Sequence, residues 1–104
     1  MNATLRALNR PLLPGARVYL VGGCVRDLLL GRPIRDLDLV TDGNPRRLAS
    51  MVARRTGGAP FLMHAELRAY RIAPRGSTDA PWVDVLPLTE SIEEDLRQRD
   101  FTIN

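Results

Sequence analysis

The stretch VYLVGGCVRDLLLGRPIRDLDLVT, residues 18–41, decides the fold. Val18–Val21 is a short apolar run of strand formers, and Gly22-Gly23 turns the chain out of it. Residues 24–30 then read as a short helix with Val25, Leu28 and Leu29 packed inward, ended by Gly31. Pro33 biases its neighbourhood toward extended backbone, and a second strand follows around 37–40. Side chains two apart on a strand point the same way, about 6.6 Å from each other along the chain. Asp36 and Asp38 therefore share one face while Leu37 and Leu39 point into a core. Two acids on one strand face, beside glycine-exposed backbone, suit a divalent cation held against a triphosphate.

An Asp-x-Asp pair alone is more often two solvated acids, so the neighbours carry the argument. Gly22 and Gly23 lie at a strand-to-helix junction, where missing side chains let a phosphate approach the backbone. Arg26, one turn on, reaches the same place. The alternative reading of the glycines is a tight turn with no ligand. Asp84 is the candidate third carboxylate: on a later strand at 82–86, Val83 and Val85 face the core and Asp84 faces away. The alternative there is a strand aspartate turned to solvent.

The rest of the chain supplies the scaffold. Residues 2–9 form a short helix with Leu5 and Leu8 on one face, ended by Pro11 and Pro14-Gly15. Asn44 caps a helix that begins at Pro45, with Leu48, Met51 and Val52 as its apolar stripe and Arg54 and Arg55 at its C-terminal end. Two strands lie between residues 60 and 74, and 75–79 is a surface turn. Ser91-Ile92-Glu93-Glu94 matches a capping box, so a helix is expected from Ile92 to about Gln98. The order of elements predicts an α/β (α+β) fold, a small mixed or antiparallel sheet with helices packed on it. Residues 1–17 are the lead-in and residues 18–104 the single domain.

Composition narrows the class. The chain has 104 residues, enough for one modest core. No apolar run approaches the roughly 18 residues of a membrane span, and the N-terminus lacks a signal-peptide core, so the expected compartment is the cytoplasm. A single cysteine, Cys24, excludes a disulfide framework. All 15 basic residues are arginine, and the net charge of +3 fits a polyanionic partner. His64 is the only histidine and has no second ligand at metal spacing. It is expected to be a packing or surface residue, Cys24 a small buried side chain, and Trp82 and Tyr70 sheet residues. Asp27 is expected to fix the glycine turn or Arg26.

The motif GGCVRDLLLGRPIRDLDLVTDGNP resembles the signature of class II tRNA nucleotidyltransferases (CCA-adding enzymes) and the related bacterial poly(A) polymerases, within the polymerase-β-like superfamily. The tail EEDLRQRDFTIN, residues 93–104, resembles the second motif of their catalytic head, with Gln98 where a double arginine usually begins. The resemblance implies a nucleotidyltransferase head that transfers CMP and AMP from CTP and ATP to the 3′ end of tRNA or another RNA. It implies Mg2+, two ions, on Asp36 and Asp38; Asp84 as a third catalytic carboxylate follows from its place on the later strand, not from the resemblance. It puts Gly23 and Arg26 at the triphosphate, beside the Gly22 that the junction itself points to, and Arg99 at the nucleotide, with Asp100 and Asn104 in support. It also implies neck, body and tail regions after Asn104, which supply base choice and most of the tRNA surface. A poly(A) polymerase head is the alternative within the family, a non-catalytic nucleotide- or RNA-binding fragment the alternative outside it.

Overall fold

Alternation of apolar and polar residues along short β-rich segments builds one sheet, and one amphipathic helix covers the apolar side of it. The computed structural model describes residues 8, 12–76, 80–90 and 92–94. The elements run β1 (Val18–Val21), α1 (Gly23–Leu29), β2 (Asp36–Thr41), α2 (Pro45–Thr56), β3 (Ala59–His64), β4 (Ala69–Ala73) and β5 (Trp82–Pro87). The five strands form a mixed sheet in the order β1-β2-β5-β4-β3. β2 and β5 are parallel, and every other neighbouring pair is antiparallel.

The core lies on one face. Val18 and Leu20 of β1, Leu37 and Leu39 of β2, Ile72 of β4 and Val83 and Val85 of β5 are buried there with Leu48, Ala49, Val52 and Ala53 of α2. Asn44 caps α2 as expected: its Oδ1 accepts from the Arg46 and Arg47 N–H groups at 3.0 and 3.3 Å. Gly57 ends the helix in the left-handed region. Thr41, the one buried polar residue of the described set, donates its hydroxyl to the Arg17 carbonyl at 2.8 Å and accepts from Gly43 N–H. That pairing ties the entrance of β1 to the exit of β2.

Two expectations need correction. Leu28 and Leu29 are 39% and 66% exposed rather than packed inward. α1 has only seven residues, and it meets the core through Cys24 and Val25 in its first turn. Ile34, after the turn, fills the core instead. The cap before the last helical residues is Thr89, whose Oγ1 accepts from Ile92 N–H at 3.3 Å, two residues ahead of the capping box read from sequence. The N-terminal helix at 2–9 falls outside the described residues except for Leu8, which is buried in the core. The end of the helix expected to reach Gln98 also falls outside them. Among the described residues no helix is long and apolar enough to cross a membrane.

Leu39 has no exposed surface, whereas Leu29 projects into solvent. Leu39→Ala should cost about 2–5 kcal/mol of unfolding free energy and Leu29→Ala within roughly 0.5 kcal/mol of none, measured by urea denaturation.

Candidate nucleotidyl-transfer site

The face of the sheet opposite the core carries a row of charge. Register brings Asp38 of β2 beside Asp84 of β5, and Asp84 beside Arg71 of β4; Asp36 lies beside Trp82. Neighbouring strands are roughly 4.8 Å apart, so these side chains form one cluster across three strands. Leu37 and Leu39 are buried on the other side, as the two-residue period predicts. Asp36 is exposed and Asp38 half-buried, while Val40, next on the same face, is buried, so the acids occupy only the first half of β2.

Asp84 therefore faces away from the core, beside Asp38, but it is engaged. Arg71 Nε donates to Oδ1 at 2.6 Å and an Arg71 terminal nitrogen donates to Oδ2 at 3.1 Å, a two-pronged ion pair. The Arg71 guanidinium also lies over the Trp82 ring, 5.3 Å from its centre. Sequence reading missed Arg71. Its only local signal is a lone arginine between Tyr70 and Ile72, which turn to the core; its partner is fixed by register, not by spacing.

The glycine pair divides its work. Gly22 has φ of +80°, where a side chain is strained, and a Cβ there would stand 3.0 Å from Asp38 Oδ2. Gly23 is open: a Cβ would meet only the Arg26 guanidinium, at 3.9 Å. Gly22, Gly23, Arg26 and Asp38 are thus gathered at one corner, where β1 hands the chain to α1. Asp27 does not serve the glycine turn or Arg26; it faces Arg32 at 4.0 Å across the turn that ends α1, an exposed pair worth little. Cys24 is buried, its thiol donates to the Val21 carbonyl at 2.9 Å, and burial raises its pKa. His64 is exposed, and its Nδ1 accepts from Leu67 N–H in the β3–β4 turn. Arg99, Asp100 and Asn104 lie outside the described residues.

The electrostatics centre on Asp38. Burial, then the charges of Asp84 and Asp36, raise its pKa above the usual 3.8, while Arg71 acts in the opposite sense. Arg71 is held further above its usual value, first by the Asp84 hydrogen bonds. The donors are hard carboxylate oxygens, and Asp38 ionises against its surroundings, so this corner suits a divalent cation that would relieve the repulsion. Among the described residues no three His, Cys, Asp or Glu side chains are gathered as a ready cage.

Residues 18–104 match the family model of the poly A polymerase head domain, and the chain belongs to that family. Enzymes of this kind are typically metal-dependent. The chain is 37% identical over 99 residues to the CCA-adding enzyme of Lactobacillus delbrueckii subsp. bulgaricus, covering 86% of this chain and 25% of that protein. It is 41% identical over 99 residues to the A-adding tRNA nucleotidyltransferase of Aquifex aeolicus, covering 85% of this chain and 12% of that one. A crystal structure of a tRNA nucleotidyltransferase complexed with a primer tRNA and an incoming ATP analog superposes with a TM-score of 0.61 at 34% identity. That match covers 86% of this chain and 27% of the other. The chain thus spans about a quarter of the length of the CCA-adding relative.

A raised carboxyl pKa means the folded state holds its proton longer than the unfolded state. The contribution of Asp38 is full below about 3.8 and is lost as pH rises through its folded value. Asp38→Asn should therefore melt higher than the parent at pH 7, with the difference closing as pH falls toward 4; thermal denaturation across that range checks it.

Proposed function

We propose that this chain is the catalytic head of an RNA nucleotidyltransferase that adds CMP and AMP, from CTP and ATP, to the 3′ end of tRNA. The observation that carries this reading is the corner where Gly22, Gly23 and Arg26 meet the carboxylate row Asp36, Asp38 and Asp84, in a chain of the poly A polymerase head family. Residues 18–104 act as the head and residues 1–17 as its lead-in. The cytoplasm is the compartment this reading implies.

The roles follow from chemistry. Asp36 and Asp38 are the residues that would hold Mg2+, two ions, with Asp84 as the third carboxylate. Bound there, divalent ions acidify the attacking 3′-hydroxyl and neutralise the departing pyrophosphate. Gly22 gives the backbone its left-handed turn without crowding Asp38. Gly23 leaves open space for the triphosphate, and Arg26 offers it a forked cation. Arg99, Asp100 and Asn104 serve the nucleotide through the second motif. Base choice and most of the tRNA contact belong to regions that the longer relatives have and this chain does not span. The Aquifex aeolicus relative, which adds A, favours a second reading in which this head serves A addition alone.

Calorimetric titration of ATP and CTP, with and without Mg2+, tests the proposal. Binding should require the cation and should weaken about tenfold or more, roughly 1.4 kcal/mol, in the Asp36→Asn/Asp38→Asn double variant. Unchanged affinity in that variant sinks the metal assignment. Gly23→Val points into open space within the protein, so it should keep the melting temperature nearly unchanged while weakening triphosphate binding. Undiminished ATP affinity in Gly23→Val would count against the phosphate corner.

A further inference from the structure

Arg71 is the one described residue of the charged row that the proposed chemistry does not use. Both of its hydrogen bonds end on the two oxygens of the proposed third carboxylate. A forked guanidinium is the protein group that most closely occupies a carboxylate as a bound cation does, taking both oxygens in one plane. The Arg71 side chain is 34% exposed and the Asp84 side chain 14%, so the arginine lies on the solvent side of the pair. The Trp82 ring beneath it supplies a second attraction that does not depend on Asp84. The guanidinium can therefore leave the carboxylate without leaving the face of the sheet.

We infer that Arg71 is a resident counter-cation that competes with a divalent cation for Asp84. This rests on the nucleotidyltransferase reading of Asp36, Asp38 and Asp84. Asp84 stands beside Asp38 in register, and three carboxylates on one face repel one another. Arg71 neutralises one of them through both of its oxygens, while neither Asp36 nor Asp38 accepts a hydrogen bond from it. A doubly charged cation held at Asp84 would repel a guanidinium forked onto the same group, so the two would compete for it. Arg71 is thus a positioning residue. It sets the cation concentration at which Asp84 joins the other two carboxylates, and it spares the fold a bare triple negative charge below that concentration.

A double-mutant cycle in Mn2+ affinity tests this, using electron paramagnetic resonance to count free Mn2+ over the parent chain, Arg71→Met, Asp84→Asn and the double variant. Far-UV circular dichroism establishes that each is folded. Arg71→Met should bind Mn2+ on the order of tenfold more tightly than the parent, and that gain should vanish in the Asp84→Asn background. An equal gain in both backgrounds would mean that Arg71 acts only as a distant charge, and would overturn competition for Asp84. Equal or weaker binding by Arg71→Met overturns it too. Should Arg71→Met not fold, Arg71→Lys carries the test, since an ammonium cannot take both oxygens: a smaller gain in affinity is expected, and none overturns the inference. Failure of Mn2+ to bind the parent and Arg71→Met alike removes the nucleotidyltransferase reading and this inference together. Parent binding that is lost in Asp36→Asn/Asp38→Asn, with an additive cycle, removes the inference alone.

Discussion

The register of β2 between β1 and β5 is the constraint on which the rest depends. Its two-residue period sends Leu37 and Leu39 into the core and Asp36 and Asp38 to the opposite face. A slip of one residue would reverse every side chain, burying two carboxylates and exposing two leucines, a change the small core could not absorb. The same apolar burial that stabilises the sheet therefore fixes where the acids stand. Neighbouring devices hold that register: the Thr41 hydroxyl on the Arg17 carbonyl, and the Asp42 carboxylate accepting from Arg17 N–H at 2.7 Å.

With the register fixed, the proposed function and stability pull in different directions at Asp38. The core face gains by burial, whereas the opposite face collects like charges that cost stability at neutral pH. A protein concerned only with folding would not place Asp38 beside Asp84. Gly22 shows the same tension, since it accepts a left-handed backbone so that nothing intrudes on the Asp38 oxygen. Such local conflicts mark a site better than any single residue does.

Much of this was legible in the sequence, because the deciding signals are local. The alternation in β2 and β5, the Asn44 cap and the glycine junction each involve residues within a few positions of one another. What was not legible depends on distant strands or on element length. The Arg71–Asp84 pair joins residues 13 apart through the β4–β5 register. Leu28 and Leu29 satisfy helical spacing, yet a two-turn helix reaches the core only through its beginning. The cap seen among the described residues is Thr89, two positions before the pattern read from sequence. Spacing could not tell Gly22 from Gly23 either, since one is required by its dihedral angle and the other by open space.

The strand order has a consequence for how the molecule assembles. β5, the last of the described strands in chain order, is also the middle one of the sheet. Among the described strands β1 pairs only with β2, and β3 only with β4, so within the sheet the two antiparallel pairs are joined through β5, with α2 packed across both. The β2–β5 pairing closes a loop of roughly forty residues, the longest-range pairing of the sheet. Without it Asp38 would have no Asp84 beside it. The pairing that unites the sheet is the same one that completes the acidic row, so the fold and the juxtaposition of Asp38 with Asp84 are inseparable.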